Sequence, residues 1–230
     1  MVEKDIEIKL LQALYQIITP EKVEKFERIA AERTRYITIA VENIFQEHNA
    51  SAVIRSCDCF GIQDVHIIEK NNRFTLNRDI ALGAGQWINH YHYTDPLFPT
   101  AKCIQELKNQ GYKIAATTPH TDAFTINDVP IDRPLAILFG TEQTGLSEKA
   151  LEMADYYVKI PMVGFTESFN ISVSAALTMN TIRTRLESQT EFDWKLTEEQ
   201  QTQLKIEWCK NVIRNPDAVI NGLIKRIKEV

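Results

Sequence analysis

Apolar residues recur along this chain with a period of two in some stretches and of three to four in others, and the two periods take turns between residues 36 and 187. Tyr36 to Ile44 (YITIAVENI) alternates and is rich in β-branched side chains, which predicts the first strand of the main body. A loop, FQEHNAS, leads to a helical stretch from Ala52 to Phe60 that stops at Gly61, and Asp64 to Glu69 (DVHIIE) reads as the second strand. Residues 70 to 86 keep no clear period, with Gly83 and Gly85 marking a loop or a short broken helix, and Ile88 to Thr94 is a further short strand. An amphipathic helix over 99 to 110 closes at Gly111, YKIAATT is a strand, and LAILF (Leu135 to Phe139) is the continuous apolar run of a strand covered on both faces. After GTEQTG (Gly140 to Gly145) come a helix over Ser147 to Ala154 and a strand over Tyr156 to Met162. In the last helix, Ile171, Ala175, Thr178, Ile182 and Leu186 recur at helical spacing.

This alternation predicts an α/β fold, a mostly parallel sheet with helices on both faces. Ligands of such sheets bind beyond the carboxyl ends of the strands, where three polar loops fall: EHNAS, GTEQTG and GFTESFN. Ser168 reads as an ordinary N-cap of the last helix, and that helix's first turn can present backbone N–H groups to something bound there. Outside the alternating region the pattern is helical. IEIKLLQALYQII precedes a second helix started by Thr19-Pro20, and segments 197–213 and 217–229 are split by Asn215-Pro216. The expected organisation is a helical extension over 1–35, a main domain over 36–188 and a second helical extension over 189–230.

A chain of 230 residues buries enough surface to hold a core without disulfide or metal staples. Cys57, Cys59, Cys103 and Cys209 form no C-x-x-C and no pairing with His, which argues against structural zinc and for reduced, inert thiols. No apolar run approaches the length of a membrane span, and MVEKDIEIKL carries charges where a signal peptide has its apolar centre, so the expected location is the cytoplasm. A net charge of -5 counts against a nucleic-acid partner, because phosphate binding draws on Lys and Arg. Local clusters (Arg28, Arg33, Arg35; Lys70, Arg73, Arg78; Lys225, Arg226, Lys228) are nevertheless compatible with a basic surface, and each is equally compatible with a solvated face.

Familiar nucleotide and hydrolase signatures are missing: GTEQTG is not G-x-G-x-x-G, no G-x-x-x-x-G-K-[ST] occurs, and neither H-E-x-x-H nor G-x-S-x-G is present. Asn49, Arg55, Glu142, Ser168 and Asn170 remain, all near strand ends of one sheet. Arg55 within AVIRSC fits a solvent-facing structural role. Glu142 fits an acid, an orienting acceptor or a surface residue, and the two asparagines fit loop-holding bonds to backbone. Spacing does not choose among these.

Taken together, HNASAVIRSCDCFGI, ILFGTEQTGLS and IPMVGFTESFNISVSAAL resemble, in order, the three motifs of the SPOUT superfamily of RNA 2′-O-ribose methyltransferases of TrmH type, over residues 36 to 187. The resemblance implies a SPOUT (α/β knot) fold whose C-terminal part is threaded into a trefoil knot. It also implies S-adenosylmethionine held bent in that knot, a homodimer whose active site draws on both subunits, and no metal. Carried over by position, it assigns Thr117, Gly140, Ile160 and Phe169 to the donor pocket, and Asn49, Arg55, Glu142, Ser168 and Asn170 to the catalytic set. The implied reaction is an SN2 transfer to a ribose hydroxyl that must lose its proton, so positioning and proton removal dominate. Family proposals make Arg55 the general base. A guanidinium is almost always protonated, and gripping a phosphate while easing formation of an alkoxide is an equally physical role for it. His48, beside Asn49, is a further candidate for the base.

Helices at both ends resemble the enzymes that methylate guanosine 18 in the tRNA D-loop, rather than ribosomal-RNA members with a separate RNA-binding domain or the short wobble-position members. The tail from Gln189 to Val230 holds seven Lys/Arg against seven Asp/Glu, so it is no strongly basic clamp. Methylation of ribosomal RNA is the alternative substrate reading. The other alternative is a knotted RNA-binding or ribosome-assembly protein without activity, which the intact Asn49, Arg55 and GFTESFN count against.

Overall fold

The computed structural model describes residues 2–70, 72–119 and 123–229. The chain divides into two compact units, one over Thr34–Trp194 and one made of Met1–Arg33 with Lys195–Val230.

The first unit is a seven-stranded sheet, in chain order β1 (Ile37–Glu42), β2 (Asp64–Ile68), β3 (Asn89–Tyr93), β4 (Lys113–Thr117), β5 (Phe124–Thr125), β6 (Leu135–Phe139) and β7 (Tyr156–Lys159). In space the order is β3-β2-β1-β6-β4-β7-β5, and every neighbouring pair is parallel. The two-residue β5 falls in a stretch that reads as turns in the sequence. Its Phe124 pairs with Val158 only because β7 leaves an edge open beside it. β7 stops at Lys159 rather than Met162, since Pro161 cannot donate to a ladder.

Helices cover both faces. On one side lie α3 (Glu47–Cys59) and α7 (Ile171–Ser188); on the other lie α5 (Pro99–Asn109) and α6 (Glu148–Met153). The period of two sorts β1 between them: Ile37, Ile39 and Val41 join Val53, Ile54, Ala175 and Met179, while Ala40 joins Ile104, Leu107 and Ala150. With both faces covered, β1, β2 and β6 are buried at every position, which is why LAILF carries no polar residue. The broken stretch after β2 holds a single turn, α4 (Arg78–Ala81), capped by Asn77, and a 3-10 turn at Ala84–Gln86.

The second unit contains α1 (Val2–Tyr15), α2 (Pro20–Ala30), α8 (Glu198–Lys210) and α9 (Pro216–Lys228). Pro20 opens α2, and a reciprocal Thr197/Gln200 capping box opens α8. Phe26 packs against Trp208 with ring centroids 5.4 Å apart, and the buried Lys205 places its Nζ 2.7 and 2.9 Å from the Glu27 carboxylate. Here one expectation fails: Arg33 is buried with its guanidinium 5.5 Å from the Trp208 ring, so with Arg28 it forms no surface cluster. Arg35, in the first unit, is likewise taken up by Asp64 at 3.0 Å. Lys70, Arg73, Lys225, Arg226 and Lys228 are exposed, and the side chain of Arg78 lies outside what is described. Burial pushes the Cys209 thiol up to about 11, which disfavours its thiolate.

Candidate active site

The first unit's chain order reverses beside β1: β2 and β3 build away on one side, while β6 and β4 come back on the other. The register holds Val41 level with Phe139, so the segments leaving β1 and β6 emerge side by side. Helix dipoles and backbone groups left unpaired at such a reversal form the ligand crevice of open parallel sheets.

GTEQTG is shaped by its glycines. A Cβ on Gly140 would lie 2.1 Å from the Gly145 carbonyl carbon and 2.3 Å from the Leu146 nitrogen, so the chain crosses itself at a distance only glycine permits. Thr141 and Gly145 exchange backbone hydrogen bonds of 3.0 Å, with Gly145 at φ +68, and Glu142 is carried on the closed turn as an exposed side chain. From below, the turn is held by Glu42 at the end of β1. That carboxylate is 6% exposed and accepts from the Ser147 backbone N–H at 2.8 Å, the Ser147 hydroxyl at 2.7 Å and the Thr100 hydroxyl. Nothing in the spacing of YITIAVENI distinguishes this glutamate from a solvated strand end.

Three of the five predicted catalytic side chains meet. Glu142 Oε1 accepts from Asn49 Nδ2 at 2.8 Å and from Asn170 Nδ2 at 2.6 Å, and Asn170 Nδ2 also lies 3.1 Å from Asn49 Oδ1. One bonded cluster thus ties the segments after β1, β6 and β7 together. Asn49 is not on a loop as the sequence suggests. α3 starts at Glu47, five residues earlier than expected, and Asn49 sits in its first turn, 5% exposed, donating also to Gln46 Oε1 at 3.0 Å. Asn170, not Ser168, caps α7: its Oδ1 accepts from the Ser172 N–H at 2.9 Å. Asn suits the position because one carboxamide caps with its oxygen and binds Glu142 with its nitrogen. Ser168 is exposed two residues earlier, on the same wall.

A cleft of about 390 Å³ opens beyond β4, β6 and β7. Thr117, Gly140, Ile160 and Phe169, the four predicted donor contacts, all line it, with Glu142 and Ser168. Its size is that of a pocket for a small molecule, and the glycine crossing lets backbone approach a ligand closely, so these residues fit a nucleoside-sized donor. Arg55 lies elsewhere. It projects from the exposed side of α3, six residues past Asn49, and lines neither this cleft nor a second one that opens between the segments leaving β1 and β6; His48 is exposed beside Asn49. Among the described residues no group of three or more His, Cys, Asp or Glu is placed to hold a metal ion, and no helix is long and apolar enough to cross a membrane.

Residues 36–180 match the SpoU rRNA Methylase family. A protein of Borreliella burgdorferi described as tRNA (guanosine(18)-2′-O)-methyltransferase is 41% identical over 214 residues, 93% of this chain and 96% of the relative. A protein of the same description from Escherichia coli is 32% identical over 161 residues, 70% of this chain and 68% of its own. Among solved structures, the A. aeolicus TrmH/SpoU tRNA modifying enzyme has the same fold, with a TM-score of 0.75 at 24% identity over 84% of this chain and 98% of that one. So does the SpoU methyltransferase AviRb of Streptomyces viridochromogenes, solved with AdoMet, with a TM-score of 0.60 at 20% identity over 71% and 65%. Fold, cleft and relatives together define an α/β methyltransferase. The chain belongs to the SpoU rRNA methylase family, and within it to the TrmH type.

Proposed function

We propose that this protein transfers the methyl group of S-adenosylmethionine to the ribose 2′-oxygen of guanosine 18 in tRNA. The observation that carries the reading is the Asn49–Glu142–Asn170 cluster at the edge of a donor-sized cleft. The relative that matches nearly the whole chain supports tRNA over ribosomal RNA as substrate.

Bound in the cleft, the donor supplies an electrophilic sulfonium methyl group. Thr117, Gly140, Ile160 and Phe169 would hold it, Gly140 because its lack of a side chain admits a close backbone approach. Catalysis then needs the acceptor oxygen within about 3–3.5 Å of that methyl and a destination for its proton. Asn49 and Asn170 occupy Glu142 Oε1, which leaves Oε2 to accept a hydrogen bond from the ribose hydroxyl, orient it and take its proton as the oxygen attacks the methyl and the sulfonium leaves as a neutral thioether. Ser168 supports the wall that joins donor and acceptor. Arg55, an exposed guanidinium outside those two clefts, grips a phosphate of the RNA and steadies the alkoxide as it forms. The reading includes a homodimer in which Arg55 serves the neighbouring copy's acceptor, a C-terminal segment threaded as a trefoil knot, a cytoplasmic location and no need for a metal.

The test is transfer of labelled methyl from the donor to a tRNA transcript. Label should appear in a linkage that resists alkali at guanosine 18, and a transcript with 2′-deoxyguanosine there should take up none. Transfer to ribosomal RNA alone would replace the substrate, and no transfer to any RNA would refute the activity.

A further inference from the structure

We propose that a second cleft, between the segments that leave β1 and β6, receives the base of the acceptor nucleotide, which stacks on Phe45 and is read along its edge by Gln46 and Asn72. This rests on the function proposed above.

The cleft has a volume of about 490 Å³ and shares the wall Thr141 to Thr144 with the donor cleft, and Asn49 and Glu142 also line it. A ribose placed at that cluster, with its hydroxyl toward the donor, leaves its base to enter the second cleft. The charge of the lining suits a heterocycle and not a phosphate: among the described residues Glu142 is the only charged one that lines it, and it is anionic.

Phe45 is 77% exposed, yet it is not on a loose loop. Its neighbour Ile44 is buried, and Asn43 adopts a left-handed φ of 56. Asn43 is clasped by Asn72 through two bonds of 3.0 Å, from the Asn72 N–H to its Oδ1 and from Asn72 Nδ2 to its carbonyl. Asn takes that conformation at little cost, and the Asn72 clasp holds the turn from which the exposed Phe45 ring projects, as a stacking platform requires.

The two reading side chains have one complementary group each. Asn72 spends Nδ2 on Asn43 and keeps Oδ1; Gln46 spends Oε1 on Asn49 and keeps Nε2. One open acceptor and one open donor match the N–H and carbonyl of a lactam edge, which guanine has and adenine lacks.

Phe45→Ala and Phe45→Trp are compared with the wild-type protein for kcat/KM on tRNA, for S-adenosylmethionine affinity by calorimetry and for size in solution. Stacking predicts a ten- to hundredfold loss of kcat/KM in the Ala variant, near wild-type values in the Trp variant, and unchanged donor affinity and size. Asn72→Ala should narrow the preference for guanosine over adenosine at the target position. A kcat/KM within twofold of wild type in Phe45→Ala would overturn the inference while the function stands. Dissociation into smaller species would also overturn it, by assigning the ring to a contact between copies. A wild-type protein that methylates no RNA would remove the function and this inference together.

Discussion

Asn170 has two jobs in one side chain, and they are separable by substitution. Asn170→Ala deletes the cap of α7, a bond of 2.9 Å to the Ser172 N–H, at a cost of about 1 kcal/mol. For a chain of this size that lowers Tm by roughly 2–4 °C. It also deletes the amide that holds Glu142 Oε1 at 2.6 Å. The exposed amide and carboxylate recover water when parted, so this second loss adds little to stability. In the closed complex, a hydrogen bond to a charged group is worth about 1.5–3 kcal/mol, or roughly ten- to 150-fold in kcat/KM. Asn170→Ser keeps an oxygen in capping position but has no amide. It should restore Tm to within about 1 °C of wild type while leaving the turnover defect. Scanning calorimetry and single-turnover methyl transfer to tRNA report the two quantities separately. If Asn170→Ser regains turnover along with Tm, the amide has no role beyond capping and the three-loop cluster is not a catalytic unit.

Three further substitutions probe the site and its support. Gly140→Ala cannot keep the turn closed with its Cβ 2.1 Å from a backbone carbon, so donor affinity by calorimetry should fall at least about tenfold, and an unchanged affinity would contradict the close crossing. Glu42→Ala strips the buried acceptor from Ser147 and Thr100. The urea midpoint should report a loss of about 3 kcal/mol, and a loss below about 1 would mean that water replaces the carboxylate. Burial lowers the His66 pKa to about 4 from 6.5, so the unfolded chain binds the proton that the folded chain refuses. Its contribution is present above pH 6.5 and is lost as pH falls toward 4, amounting to about 3 kcal/mol. His66→Gln should flatten that limb of a stability-against-pH curve, and an identical slope in both proteins would show that the imidazole is not the group titrating.

The α/β class, the parallel sheet and the placement of GTEQTG and GFTESFN at strand ends were legible because a period of two and a period of 3.6 mark which faces are buried, and burial of apolar faces decides the layers. Thr117, Gly140, Ile160 and Phe169, expected from the motifs to contact the donor, come together on one cleft, since Gly140 and Ile160 lie at the ends of strands that hydrophobicity locates well. Helix starts were less legible. EHN has no cap signature, and α3 gains its first turn from Asn49 bonding to Gln46 and to Glu142, 93 residues away. Likewise, nothing near Ser168 or Asn170 tells which of them caps α7. Asn170 does so because its nitrogen already has a partner in another loop.

What the linear pattern determined is therefore the set of elements, their faces and the rim at which chemistry gathers. Which rim residues touch was decided by tertiary structure alone: strand order brings β1 beside β6, and only then does Glu42 reach Ser147 while Asn49 and Asn170 reach Glu142. Arg33 and Arg35 make the same point in reverse, since a basic stretch in sequence becomes one cation against Trp208 and another on Asp64. Hydrophobic burial acts on every residue of an element and leaves a period to read. A hydrogen bond or ion pair acts between two atoms at short range, and leaves no trace in sequence until the fold has joined them.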